Sequence, residues 1–384
     1  MNDKQIGKLI QKESERQRNI INLIASENYV SEDVLTALGS DLVNKYAEGY
    51  PNKRYYGGNG VIDDIENLCK ERALKTFGLN NKTWSVNVQA LSGSPANLAV
   101  YNALLNPGDK IMGMSLSDGG HLSHGHKVSV TGKLYKQVSY GVGEDEKIDY
   151  DKLIKLAKKE KPQIIIAGFT AYPRKINWKK FREIADSCDA ILLADISHTA
   201  GLIAGGAFPS PFKYADIVTT TTHKTLRGPR AALIFSKTEL SNLIDKSIFP
   251  GLQGGPHMNA IAAIAVALKE AQSSSFKTYT KKVVENARSL AKELKNLGWR
   301  IVSGGTDSHL VLIDTISNDL SGKDASEKLE KAGIIVNMNT IPGEDRSPMN
   351  PSGIRIGTAA ETTRGNNKKN FIKIAKRIDE VLRS

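Results

Sequence analysis

Six short apolar runs, separated by stretches of helical periodicity, constrain this chain more than any other feature of its sequence. They span residues 110–114, 133–138, 163–168, 190–195, 216–221 and 232–236. Short runs rich in β-branched residues, each followed by a helical pattern, read as a mostly parallel sheet covered on both faces. The fold class is therefore α/β. Before this region, the chain to about residue 44 looks helical and then loop-like, with too few apolar positions for a domain. Residues 258–297 read as one long helix or a broken pair. Beyond them, residues 299–303 and 309–314 alternate again, followed by a helix at 325–332 and a strand-like run at 333–337. We divide the 384 residues into an arm (1–44), a large domain (45–272) and a smaller α+β domain (273–384). No internal repeat is visible.

Charge and composition narrow the function. The formal net charge is +12, which could serve nucleic acid or an anionic small molecule. The basic residues concentrate in runs such as DKLIKLAKKEK (151–161), which read as solvated helix faces. No basic run is interleaved with aromatics as single-strand binders require, so a nucleic-acid partner is not expected. The longest apolar run, residues 261–268, is far too short to cross a bilayer. The first twenty residues are polar and lack the apolar core of a signal peptide, so a cytoplasmic protein is expected. Cys69 and Cys188 read as reduced packing residues.

The chemistry gathers at strand ends. The run AILLAD (190–195) closes on Asp195, and ligands of open α/β sheets sit beyond the carboxyl ends of their strands. Alone, Asp195 could equally cap the next helix. The following strand runs into THKTLRGPR, which places Lys224 just past its tip among threonines, His223 and a Gly-Pro turn. A lysine amine can form a Schiff base with a carbonyl cofactor, as pyridoxal phosphate (PLP) requires. A carboxylate on the neighbouring strand can keep the pyridine nitrogen protonated. A phosphate cup is offered by LSGSPAN (91–97), where Ser92, Gly93 and Ser94 precede Pro95 at a helix start. The spacing of His121, His124 and His126 could suggest a metal, but without cysteine or a carboxylate other than Asp118 no metal is expected. His124 and His126 read as loop residues, and His257 and His309 carry no assigned role.

At this point the chain resembles the serine hydroxymethyltransferase family. VTTTTHKTLRGPR (218–230) is similar to that family's PLP-lysine signature. LIASENYV (23–30), NKYAEGYPNKRYYGG (44–58), LSGSPAN, DGGHLSHG (118–125), FPGLQGGP (249–256) and SGIRIGT (352–358) match in order across nearly the whole chain. The resemblance implies a fold-type-I PLP-dependent transferase with a seven-stranded sheet. It also implies a homodimer, with a tetramer possible, whose active sites are shared between subunits. The implied reaction moves the hydroxymethyl carbon of serine to tetrahydrofolate, giving glycine and 5,10-methylenetetrahydrofolate.

Carried over residue by residue, Lys224 would hold PLP, Asp195 would pair with its ring nitrogen and His121 would stack on its face. Ser94, with Ser92 and Gly93, would bind the phosphate, joined by Gly255 from the neighbouring subunit. Thr170 and His198 would contact the 3-hydroxyl side, and His223 would tune the lysine. Arg355, whose planar fork suits a carboxylate, would grip the amino acid with help from Ser26 and Tyr46. Glu48 would be the acid/base of the partner's site, beside Tyr46, Tyr55 and Tyr56. Folate contacts would fall on Glu48, Tyr55, Tyr56, Leu116, Gly120, His121, Leu122, Asn339, Ser347, Pro348 and Met349.

Two departures from the family pattern stand out. Ala231 and Ala232 replace a usual Gly-Gly, which would strain the turn if either position needs positive φ. The lysine-rich C-terminal helix ending at Ser384 is shorter than the family's usual ending. The competing readings are a folate-independent aldolase of β-hydroxy amino acids on the same machinery, and an RNA-binding relative with a vestigial site. Intact Glu48, Tyr55, Tyr56 and Asn339 weigh against the first, and intact Lys224, Asp195, His121 and Arg355 against the second.

Overall fold

A computed structural model describes residues 2–384. The chain opens with helix α1 (Lys4–Asn19), capped by the Asp3 carboxylate and with no buried residue. Its apolar Ile6, Leu9 and Ile10 are exposed. The arm then becomes structural. Ile21 and Asn22 pair in parallel with Ile334 and Ile335, and Leu23 and Ala25 are fully buried. A short helix, Glu32–Leu38, packs Val34 against Ala263 and Ala267.

The large domain is built on seven strands: β1 (Trp84–Asn87), β2 (Lys110–Met114), β3 (Lys136–Tyr140), β4 (Ile164–Gly168), β5 (Ile191–Asp195), β6 (Ile217–Thr221) and β7 (Ala232–Lys237). Their order is β1-β7-β6-β5-β4-β2-β3, and β7 alone runs antiparallel to its neighbours. The central strands β4 and β6 are buried along their whole length. That burial explains why they read as continuous apolar or β-branched runs instead of alternating ones.

Two strands depart from the sequence expectation. The run at 133–138 begins as a helical turn (Val130–Leu134) capped by Ser129, and the strand starts at Lys136. There Gly132 lies so close to the His126 carbonyl that a Cβ would stand 2.3 Å from it, which favours the tight turn. The strand β1 was hidden by its polar Ser85 and Asn87 and by its length of four residues.

The 258–297 region is a broken pair, α2 (Met258–Ala271) and α3 (Ser274–Asn296). Ser273 stops one helix and caps the next by accepting from the Phe276 N–H, a contact worth about 1 kcal/mol. The first turns of α3 pack Phe276, Tyr279, Val283 and Val284 on the large core, and its later turns pack Ala287, Leu290 and Leu294 on the small one. A division after residue 272 therefore falls just ahead of a helix that both cores share. The small domain carries four strands, β8 (Arg300–Ile301), β9 (Leu310–Asp314), β10 (Asn337–Asn339) and β11 (Gly353–Gly357), in the order β8-β9-β11-β10. The expected strand at 299–303 stops after two residues because Ser303 turns the chain at φ 55°. Helix α4 (Lys368–Arg383) covers this sheet with Phe371, Ile374 and Ile378.

Neither Ala231 nor Ala232 has a positive φ, so the expected strain is absent. The turn's left-handed residue is Arg227, at φ 60°. Among the described residues no helix is long and apolar enough to cross a membrane. Likewise, no group of three or more His, Cys, Asp and Glu side chains is gathered as a metal would need.

The glycine-rich loop 46–58 is shaped from beneath by one guanidinium. Arg54 donates to the carbonyls of Ala47 and Gly49, to Asp63 and to the fully buried Glu66. Gln89 bonds the same Glu66 and the Gly49 carbonyl. Losing Glu66 would leave the enclosed Arg54 guanidinium with Asp63 as its remaining carboxylate and would break the Lys70–Glu66 pair as well. Glu66→Ala is expected to destabilise the protein by about 3–5 kcal/mol, read as a large drop in the thermal unfolding midpoint. A midpoint unchanged from wild type would mean that Arg54 finds enough water to dispense with Glu66.

Candidate active site

The register of β4, β5 and β6 pairs Gly168 with Asp195 and Asp195 with Thr219, so the ends of β4 and β5 are level and β6 runs two residues further. Gly168 makes this possible, because a Cβ there would stand 2.4 Å from the Asp195 carbonyl oxygen. Asp195 is not a helix cap. Its Oδ1 accepts from the Ser197 backbone N–H (3.1 Å) and hydroxyl (2.6 Å), and its Oδ2 accepts from Asn97 Nδ2 (2.9 Å) and lies 3.1 Å from His124 Nε2. Burial alone would raise its pKa, but the bonds from His124, Ser197 and Asn97 and the nearby His124 charge win. The carboxyl is held far below the usual range. Asp195 is thus a largely enclosed carboxylate, favoured in its ionised form, at the mouth of a sheet.

From Asp195 a chain of bonds runs outward to His121. Asn97 donates its second N–H to Ser123 Oγ (2.9 Å) and accepts from Thr219 Oγ1 (2.7 Å). Ser123 in turn lies 2.7 Å from His121 Nδ1, and its backbone N–H donates to the same nitrogen at 3.1 Å. Nδ1 therefore accepts, and burial followed by the His124 charge depresses the His121 pKa to about 4. The ring is neutral, with its proton on Nε2. A neutral aromatic face suits stacking on a flat ligand.

Lys224 lies three residues past β6, with Nζ 2.9 Å from Thr221 Oγ1. Burial lowers its pKa to about 8; Asp195 opposes the fall, whereas Arg355 and Arg230 deepen it. His223 beside it is pushed to about 3 by burial, then by Lys224 and Arg230, and its buried Nδ1 has no hydrogen-bond partner. Opposite Lys224, the helix Gly93–Leu104 starts two residues earlier than Pro95 suggested, and Ser92 makes no side-chain cap. Its first amides are therefore free for an anion. Gly93 is packed close, since a Cβ would stand 2.8 Å from Thr221 Cγ2.

Together Ser92, Gly93, Ser94, His121, Thr170, Asp195, His198, His223 and Lys224 line one cavity of about 150 Å³. It offers an amine, a fixed anion, a neutral ring and a helix start for a phosphate. The residues fit PLP.

Arg355 reaches this region from β11. It donates Nη1 to the Thr170 carbonyl (2.7 Å) and Nε to Asn337 Oδ1 (3.2 Å), and among the described residues no Asp or Glu pairs with it. Burial lowers its pKa to about 10. A buried guanidinium without a carboxylate is costly unless a ligand supplies one. Thr170 is itself pinned to the His121 loop, its hydroxyl donating to the Gly120 carbonyl at 2.8 Å. Ser26 follows Ala25, which lies against Gly357 of the same strand β11, where a Cβ would meet Ala25 Cα at 2.4 Å.

A family model for serine hydroxymethyltransferase matches residues 1–378. Serine hydroxymethyltransferase of Desulfotalea psychrophila is 54% identical over 380 residues, covering 99% of this chain and 88% of that protein. The enzyme of the same name from Wolinella succinogenes is 54% identical over 382 residues, covering 99% and 91%.

This chain belongs to the serine hydroxymethyltransferase family.

The seven-stranded sheet with a smaller C-terminal sheet domain is the fold-type-I architecture of serine hydroxymethyltransferases. The remaining residues expected at a serine hydroxymethyltransferase site do not line the Lys224 cavity of the same chain. Tyr46, Tyr55 and Tyr56 are 57%, 74% and 51% exposed. Tyr46 stacks edge-on against Tyr56 and lies 3.4 Å from Glu48, and Gly255 packs near both Tyr46 and Glu48. Tyr55 rests on Phe249. Leu116 and Leu122 flank His121 on its loop, whereas Asn339 pairs with Gly353 and Ser347, Pro348 and Met349 are exposed on the small domain.

Sequence reasoning missed several members of the site. His124 is buried against Asp195, not a loop residue, and Asn97 and Ser197 complete that carboxylate's donors. Phe169 and Arg230 also line the cavity. The helical spacing of Asn97 from the SGS loop was the one available signal, since it places Asn97 on the helix's first turns.

Proposed function

We propose that this chain is a PLP-dependent enzyme that transfers the hydroxymethyl carbon of serine to tetrahydrofolate reversibly, giving glycine and 5,10-methylenetetrahydrofolate. The observation that carries the reading is the convergence of Lys224 and Asp195, on adjacent strand ends, with a partly buried Arg355 that has no carboxylate of its own among the described residues. Lys224 would hold the cofactor covalently, Asp195 would face its ring nitrogen, His121 would cover the ring, and the start of the Gly93–Leu104 helix would take the phosphate. Bound there, PLP supplies an electron sink for the carbon whose bond to the hydroxymethyl group is broken. Arg355 orients the amino acid through its carboxylate, with Ser26 beside it on the N-terminal arm. Thr170 fixes Arg355 relative to His121 by bonding both sides.

The exposed group of Tyr46, Glu48, Tyr55, Tyr56 and Gly255 is read as this subunit's contribution to its partner's cavity in a homodimer. Clustered tyrosines around a carboxylate on an open surface support that reading, since a second copy would bury them. Glu48 then serves as the acid/base for the serine hydroxyl and the folate. Glu48→Gln is expected to keep PLP binding and lower the folate-dependent rate by on the order of 10²–10⁴. Wild-type folate-dependent turnover in this variant would remove Glu48 from the mechanism.

The visible spectrum tests the whole reading. Purified protein mixed with PLP should show the absorption of a lysine-bound cofactor. A further long-wavelength band should form only when glycine and tetrahydrofolate are both present. A cofactor that responds to glycine and ignores tetrahydrofolate would mark a folate-independent aldolase, and no cofactor absorption at all would overturn the assignment.

A further inference from the structure

His309 is fully buried and carries no role in the site described above. It stands one residue ahead of β9, and its carbonyl is fixed by the Thr358 N–H (2.9 Å) and the Thr358 hydroxyl (3.2 Å). Its Nε2 has two neighbours: the Ala25 carbonyl oxygen at 3.1 Å and His198 Nδ1 at 3.2 Å. The two imidazoles are stacked, with centroids 5.4 Å apart and planes 27° from parallel. His309 Nδ1 is buried with no partner.

These contacts assign the protons. A carbonyl oxygen only accepts, so His309 Nε2 carries a hydrogen. Burial, followed by Arg355, lowers the His309 pKa to about 3, so the ring is neutral and Nδ1 has only a lone pair. The Nε2–H also faces His198 Nδ1, and two N–H groups would repel at that distance. His198 Nδ1 therefore presents a lone pair as well. His198 is neutral too, its pKa pushed well down by burial, then by Lys224 and Arg355. Its one proton lies on Nε2, which makes no hydrogen bond to the protein among the described residues.

We propose that His309 is a positioning residue whose single N–H, shared between His198 Nδ1 and the Ala25 carbonyl, sets His198 as the Nε2–H tautomer and ties the Ser26 segment to the same point. His198 lines the Lys224 cavity, so this tautomer gives the cavity a hydrogen-bond donor suited to an anionic oxygen of the ligand. The same N–H reaches across from the small domain, through Ala25, to the segment that packs on the Arg355 strand. Loss of the donor would loosen the cofactor side and the carboxylate side of the site together. The effect on amino-acid binding rests on the function proposed above, whereas the tautomer of His198 does not.

The test uses the full chain labelled with ¹⁵N-histidine, as purified and after PLP is added, with long-range ¹H–¹⁵N spectra to read each imidazole tautomer. Gln at 309 places an amide N–H near the position of Nε2, and Asn does not reach it. His198 should carry its proton on Nε2 in the wild type and in His309→Gln, and become a mixture of tautomers in His309→Asn. The glycine dissociation constant of the holoenzyme should rise about 10-fold in His309→Asn and less than about 3-fold in His309→Gln, the scale of one hydrogen bond. A proton on Nδ1 of His198 in the wild type overturns the proposal. So does equal weakening by both variants, or wild-type glycine affinity in His309→Asn. A protein that shows the expected tautomers but binds neither PLP nor glycine would sink the proposed function and leave the tautomer assignment standing.

Discussion

Replacing Lys224 with alanine is expected to stop steady turnover, cutting the rate by on the order of 10²–10⁴, the range lost with a positioned proton-transfer group. Among the described residues Lys224 is the one lysine lining the cavity, so no second amine stands there to take over its covalent role. The pocket should survive the change, because Lys224 Nζ makes a single hydrogen bond, to Thr221, and Asp195 is held by four others. PLP should still bind, without the absorption of a lysine-bound cofactor. Multiple turnovers at the wild-type rate would sink the assignment of this residue.

The same lysine gives a pH signature. The amine attacks only when unprotonated, and burial brings its pKa from 10.5 down to about 8. Capture of PLP by the cofactor-free protein should therefore quicken as pH rises and level off above about 8. A rate still climbing steeply through pH 10 would show that burial does not act on Lys224 as the fold implies.

Arg355→Ala is the second large effect. Arg355 is partly buried, unpaired by any carboxylate among the described residues, and aimed by the Thr170 carbonyl and Asn337. Truncating one partner of a buried, hydrogen-bonded charge pair costs about 2–5 kcal/mol, or on the order of 30- to several-thousand-fold in affinity for serine and glycine. PLP affinity should change far less, because Arg355 does not line the cavity wall around Lys224. Arg355→Lys should recover only part of the loss, since an ammonium keeps the charge and loses the planar fork. Calorimetric titration of the holoenzyme with glycine decides it, and unchanged glycine affinity in Arg355→Ala would remove the arginine from substrate binding.

The parts of the site that were legible in the sequence are those fixed by local order. Asp195 and Lys224 close consecutive apolar strands, and parallel strands must present their carboxyl ends on one side. Ser92 precedes a helix that Gly93 and Ser94 open, so the amides of that first turn had to be free. His124 was not legible, because its role depends on a contact across 71 residues that no spacing announces. His309 is more remote still, meeting His198 across 111 residues and Ala25 across 284. The short β1 was missed for a related reason: Ser85 and Asn87 look polar in sequence, and only their pairing with Ser236 and Ile234 of β7 makes them strand residues.

The α/β class, the strand-end pair of Asp195 and Lys224 and the family motifs are readable without coordinates, because each is written in a contiguous stretch. The charge states of those groups come from packing in three dimensions. Asp195 is held in its ionised form because Asn97 and His124 reach it from distant segments and join Ser197, two residues along the chain. Lys224 and Arg355 have lowered pKa values because the packed cores exclude water from them. Charge states follow from solvation and from neighbours in space, and neither is a property of neighbours along the chain.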